Sequence, residues 1–185
     1  VGPGFGVNKF TEQVIRELIH AQETHVILDA DALTVCAQEK IFPLPSTWIV
    51  TPHTGELSRL IGKSTAEINK DRLSAVQEAQ RKWGCVVLLK GHRTLVATAN
   101  ETATIATGNS ALAKSGTGDV LAGIMTALRA QNLNAPDAAL LAAYIHGATA
   151  NLWVARRKDP LSMMASDVIE FIPDVLFQLR KLKNA

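Results

Sequence analysis

The sequence predicts a single α/β layered domain whose sheet is mainly parallel, with an antiparallel hairpin at one edge. Three observations carry that expectation. Up to residue 90, short β-branched apolar runs alternate with segments of helical periodicity. Two further runs, "TLVATA" and "TATIAT", then flank the dipeptide "NE" as the arms of a hairpin would. Helical patterns close the chain. Its 185 residues suffice for one domain with a real core.

Taken in order, Val14, Ile15, Leu18 and Ile19 fall on one helical face and predict a helix over 9–23. "HVILDA" (25–30) is short, apolar and ended by acids, as a buried strand is. "ADALTVCAQ" reads as a short helix and "FPLPS" as a proline-rich connector. The next strand, "TWIVT" (47–51), is stopped by Pro52, and "TGELSRLIG" follows with one or two helical turns. Ser64 and Glu67 match a capping box, while Asn69 and Asp71 leave the helix boundary open. Leu73, Val76, Ala79 and Trp83 form the apolar face of the helix that follows, which Gly84 ends. "CVVLLK" (85–90) is the clearest strand. After the hairpin come helices over about 119–131, 137–157 and 166–182, with Pro173 expected to break or kink the last.

Composition narrows the function. The chain is 47% hydrophobic and 19% charged, with few aromatics, so Ala, Leu, Ile and Val must fill the interior. A net charge of +2 and the lack of a long basic block argue against a nucleic-acid partner. The terminal "RKLKNA" reads as a solvated helix end. Cys36 and Cys85 lack metal-ligand spacing and are expected to be buried free thiols of a reducing cytosol. No signal peptide and no apolar run long enough to span a membrane is recognised. The opening "VGPGFG" is a glycine turn of the kind that follows a buried strand, with only Val1 ahead of it. The chain is therefore expected to be a piece of a longer domain.

The unusual residues cluster. "DAD", "PHTGE", "KGHRT" and "GNSALAKSGTGD" each follow a strand or the hairpin, at the end of the sheet where such folds bind ligands. In "SGTGD", Gly116 and Gly118 allow close backbone approach, and the N–H groups that open the next helix can hold an anion. Asp119 is ill placed merely to greet a phosphate, because like charges repel. It is either an N-cap or a base that takes a proton from an attacking hydroxyl. His53 is either a satisfied structural residue or a ligand contact, and Glu56 orients its loop or caps a short helix. Lys90 ends a buried strand, so its ammonium reaches a partner in the site or snorkels to solvent. Asp29 and Asp31 could hold water-bound Mg²⁺ or cap a helix; capping is favoured for Asp31, and Asp29 is left open.

With "TPHTGE", "LLKG" and "GPGFG" upstream in order, "GTGDVLAG" makes the chain resemble the ADP- or ATP-dependent NAD(P)H-hydrate dehydratases, repair enzymes of the ribokinase-like superfamily. The resemblance runs from residue 2 to about residue 170. It implies a three-layer α/β/α fold in which Asp119 is the catalytic base and touches substrate, with Gly4 and His53 as further substrate contacts. It assigns the adenine nucleotide to Lys90, Gly91, His92, Arg93 and Thr94, with Asn109, Gly116, Thr117 and Gly118. No residue is assigned as a metal ligand. The implied substrates are the S forms of NADHX and NADPHX, with ADP or ATP as co-substrate and Mg²⁺. A cytoplasmic homo-oligomer is implied, not a membrane protein, with an epimerase fused or separate. Three positions depart from the pattern: Phe5 where Leu is commoner, Thr34 after "DADAL" where Asn is usual, and Lys114 where small residues prevail. A small-molecule kinase of the same superfamily, or a non-catalytic nucleotide-binding module, are the alternatives.

Overall fold

The computed structural model describes residues 1–183, with side chains described through residue 181. Its sheet follows the apolar runs: β1 (Ile27–Leu28), β2 (Ile49–Val50), β3 (Val86–Leu89), β4 (Leu95–Ala97) and β5 (Thr102–Thr104) lie side by side in chain order. Ile27 pairs with Ile49 and Ile49 with Val86 in parallel register. β3 to β4 and β4 to β5 are antiparallel, so β4 alone runs against the other strands. The ladders of β1 and β2 are shorter than the runs 25–30 and 47–51. Backbone pairing nevertheless continues beyond them, with Val1 N donating to Ile27 O at 2.8 Å and Asp29 N to Val1 O at 3.1 Å.

Strict alternation divides the core. Leu28, Val50, Val87, Leu89, Leu95 and Ala97 point to one face. There they meet α1 (Lys9–His20), α2 (Asp31–Gln38), α3 (Thr54–Ile61), α4 (Thr65–Lys70) and α5 (Arg72–Trp83), through residues such as Ile15, Leu33, Leu57, Ile68 and Trp83. Ile27, Ile49, Val86, Leu88 and Val96 point the other way, onto Leu121 and Met125 of α6 (Thr117–Ala130) and the alanines of α7 (Ala135–Ala155). Helix α8 (Ala165–Lys183) packs outside them, with Val168 and Phe171 against Trp153 of α7. The result is the expected three layers, helices on both faces of one sheet.

Several boundaries differ from the sequence reading for identifiable reasons. Asp71 both ends α4 and caps α5 by accepting from Ser74 N, which splits the helix expected after Ser64. Leu73 is exposed, not part of the α5 apolar face. Four residues before Val76 the stripe is occupied by Arg72, whose guanidinium reaches the carbonyls of Leu89 and Lys90 at 3.3 Å. Pro173 does not break α8. The Ile169 carbonyl that it cannot serve lies on a solvent-facing stretch, Ile169 and Pro173 both being exposed. Helix α8 includes most of "RKLKNA", but residues 184 and 185 lie outside the described residues. Helix α7 corrects the reading of the apolar runs, because by length and composition it could cross a membrane. Half of its most apolar window is buried inside the protein, where its alanines let it lie close to the sheet. Cys36 and Cys85 are free and buried, and burial pushes both thiols up to about 12.

Helix α7 also carries a buried imidazole. Burial is the main cause that lowers His146 from 6.5 to about 4; a hydrogen bond to Thr117 opposes the shift and the charge of Lys90 adds to it. Between those values the unfolded chain takes up a proton that the folded chain refuses. This contribution to stability is therefore complete above about pH 6.5 and is lost as the pH falls toward about 4. Urea unfolding at pH 7 and pH 5 is expected to show a loss of about 2 kcal/mol from this group. The His146→Gln variant should lack that share of the slope.

Candidate active site

Three strand ends converge on one ammonium. The pairing of β2 with β3 extends past the ladder, where Lys90 N donates to Pro52 O at 2.9 Å and Lys90 bridges to His53. This register sets the Lys90 side chain between two carboxylates. Its Nζ donates to Asp29 Oδ1 at 2.6 Å, and Glu56 Oε2 lies 3.8 Å away. Asp29 is only 3% exposed, so the pair is largely shielded from water. Lys90 therefore has a partner and does not simply snorkel to solvent. The same pairing engages Oδ1 of Asp29, the carboxylate whose role the sequence leaves open.

His53 and Glu56 form a reciprocal cap on α3. His53 Nδ1 accepts from Gly55 N at 3.0 Å, and Glu56 Oε2 accepts from His53 N at 2.8 Å. The structural reading of His53 holds, because its ring is engaged in the cap; the residue is also exposed and lines a cavity. Glu56 caps the helix as expected. Asp31 does not cap its own helix. It accepts from Gly6 N at 2.9 Å and so holds the "GPGFG" turn against the tip of β1. In that turn Gly2 is required, because a Cβ there would stand 1.7 Å from Asp29 O. Gly4, with φ of +73° and open space where a Cβ would be, presents bare backbone to solvent.

Opposite Lys90 lies the start of α6. Side chains of Asn8, His53, Ser64, Asp71 and Asn134 cap α1, α3, α4, α5 and α7, whereas Gly116, with φ of +84°, stands at the N-cap of α6 and supplies none. The first N–H groups of α6 thus have no side-chain acceptor, and they carry the positive end of a 14-residue helix. A Cβ on Gly118 would lie 3.8 Å from Lys90 Nζ, which places the ammonium beside the helix start. The Thr117 hydroxyl holds the preceding loop by donating to Leu112 O and Lys114 O at 2.8 and 2.9 Å.

A cavity of about 690 Å³ opens between these elements, within the range of small-molecule sites. It is lined by His53 and Lys90, by Gly91, His92, Arg93 and Thr94 of the turn after β3, and by Asn109, Thr117 and Gly118. Gly116 and Gly4 are not part of that lining. Nor is Asp119, the third residue of α6, which is exposed and borders a separate apolar groove between α6 and α8. It is therefore no N-cap. Its carboxylate stands one residue from the cavity wall, on the solvent side of the helix start.

Some lining residues escaped the sequence reading. His146 and Gly147 of α7 form the back of the cavity. Arg72 supports the turn from beneath: Gly91 has φ of +140°, and a Cβ there would meet Arg72 Nη1 at 2.6 Å. The available signal was a His-Gly pair inside a helix rich in alanine and leucine, since an interior glycine costs about 1 kcal/mol relative to alanine.

Comparison with known proteins gives one answer. The family described as NAD(P)H-hydrate dehydratase matches residues 1–174. The bifunctional NAD(P)H-hydrate repair enzyme of Moorella thermoacetica is 38% identical over 184 residues, which is 98% of this chain and 34% of that protein. This chain thus spans about a third of the length of the curated relatives it matches. The ADP/ATP-dependent NAD(P)H-hydrate dehydratase of Bacillus subtilis, co-crystallised with ATP and Mg²⁺, superposes with a TM-score of 0.85 at 30% identity, covering 96% of this chain and 63% of that one. A ribokinase-like superfamily protein of Enterococcus faecalis superposes with a TM-score of 0.81 at 26% identity, covering 96% and 62%. The fold is accordingly ribokinase-like, and the chain belongs to the NAD(P)H-hydrate dehydratase family.

Proposed function

We propose that this chain carries the phosphoryl-transfer site of an ADP- or ATP-dependent NAD(P)H-hydrate dehydratase, acting on the S forms of NADHX and NADPHX. The observation that carries the reading is the α6 N-terminus, to which Gly116 supplies no side-chain cap, with the Lys90 ammonium beside it on the wall of a nucleotide-sized cavity. Backbone N–H groups and a fixed cation are what a transferring phosphoryl group requires, because its catalysis is largely positioning and charge stabilisation. The turn Gly91 to Thr94 and Asn109 would hold the adenine nucleotide at the far wall. Gly4 and His53 would face the hydrated nicotinamide from the near side.

Hydroxide is a poor leaving group from the ring carbon, and phosphate is a far better one. Asp119 would take the proton of the ring hydroxyl as its oxygen attacks the terminal phosphorus, breaking the bond to the rest of the nucleotide. The ring-nitrogen lone pair then expels phosphate, and the neighbouring ring carbon gives up a proton to restore the dihydronicotinamide. ADP is thereby converted to AMP and phosphate, or ATP to ADP and phosphate. Among the described residues no group of three His, Cys, Asp or Glu could hold a metal. Mg²⁺ fits as an ion held mainly by the phosphates and water, where it would neutralise charge on them. A homo-oligomer acting with an epimerase completes the proposed setting.

The test is to incubate NADHX with the chain and ADP or ATP, following recovered absorbance of the reduced nicotinamide together with free phosphate. A kinase would instead accumulate a phosphorylated product, and a binding module would give neither signal. Asp119→Asn should lower kcat about a thousandfold while leaving the nucleotide Kd largely unchanged; equal loss of both would make Asp119 structural. Lys90→Gln should lower kcat about a hundredfold. It should also cost about 3 kcal/mol in urea unfolding, because Asp29 would be left buried without its partner.

A further inference from the structure

The α7 face behind the cavity is made of residues to which the reaction above gives no role. Gly147 lets the loop after β5 come close: a Cβ there would stand 2.4 Å from Thr107 Oγ1 and 2.6 Å from Thr107 O. One turn later, Asn151 Oδ1 accepts from Gly108 N and from Asn109 Nδ2, both at 3.2 Å. Between these contacts and α6 lies His146, only 9% exposed, with Nε2 at 2.9 Å from the Thr117 carbonyl. A carbonyl oxygen only accepts, so Nε2 carries the proton and the tautomer is fixed.

The Thr117 carbonyl and the Gly118 N–H belong to one planar peptide unit and point in opposite directions. Thr117 opens α6, so its oxygen also accepts in the helix ladder, and the His146 bond is a second hold on this plane and on the direction of the N–H in front. Hydrogen bonds arranged in such a chain also polarise one another, more so where water is excluded. We propose that His146 is a positioning residue for the phosphate cradle: by donating to the Thr117 carbonyl, it aims and polarises the Gly118 N–H toward the terminal phosphate of the bound nucleotide. This rests on the nucleotide reading given above. A charged imidazolium would place a second cation near Lys90; burial and the Lys90 charge hold the ring neutral down to about pH 4. The donor is therefore unchanged across the neutral range.

Calorimetric titration of the 185-residue chain with ADP and with adenosine separates the outcomes. His146→Leu, which keeps the bulk and removes the donor, should bind ADP about tenfold more weakly and adenosine unchanged. His146→Gln, whose amide nitrogen can stand where Nε2 stands, should remain within about threefold of the parent for both. If His146→Leu leaves ADP binding intact, or weakens ADP and adenosine equally, the positioning role is overturned while the nucleotide reading stands. A parent chain that binds neither ligand overturns both. A measurement on the parent alone avoids any folding defect of the variants: the His146 ring ¹⁵N resonances should shift on adding ADP and not on adding adenosine. Their failure to move with ADP would overturn the proposal.

Discussion

Lys90 extends the third parallel strand past its last ladder pair and donates to Asp29 at the end of the first, across 2.6 Å. Glu56, from the helix after the second strand, completes the surround at 3.8 Å. One ammonium thus joins the tips of the adjacent strands β1, β2 and β3, in a place where Asp29 is nearly dry. Such a pair adds little net stability over an apolar core, because both charges lose water when they meet. What it does supply is geometry. With the ammonium held by Asp29, the distance from Lys90 Nζ to the start of α6 is set by the sheet and not by a flexible side chain. Charge stabilisation that needs no rearrangement at the moment of reaction depends on that kind of fixity.

The fold was largely legible because its signals are local. The unbroken apolar run "CVVLLK" marks a strand covered on both faces, and its residues do pack into two cores, Val87 and Leu89 in one and Val86 and Leu88 in the other. The capping box at Ser64 and Glu67 is present in full. Errors arose where a local rule met a tertiary partner. Asp71 serves two helices at once, which no single cap pattern announces. Asp31 looked like a cap and instead holds Gly6, 25 residues away in sequence. Leu73 has the right chemistry for the core, but Arg72 takes the place on the stripe because the carbonyls of Leu89 and Lys90 need a donor.

The candidate site divides along the same line. Residues on the loops after strands, from His53 to Gly118, stand out by composition, and they gather around one cavity. The wall behind them is not marked by loop composition: His146 and Gly147 lie inside a helix, where the pair is noticeable but does not say what it faces. Their meaning depends on contacts 29 residues away for His146, with Thr117, and on the close approach of Thr107 for Gly147. Sequence spacing cannot supply either.

Asp119 sharpens the division of labour at the start of α6. Thr117 and Gly118 line the cavity, while Asp119 borders the groove on the α8 side. A base on the cavity side would sit among the phosphates and repel them. A base displaced by one residue, on the outer side of the same turn, can meet a hydroxyl that approaches from outside while the N–H groups face inward. On the proposed function, the ring hydroxyl would reach phosphorus at the edge of this turn, between Asp119 and the cavity that His53 lines. On that same proposal, the uncapped helix end and the exposed carboxylate would be two faces of one arrangement. Such an arrangement would work only if the peptide planes between them keep their orientation, which is the task proposed above for His146 behind Thr117.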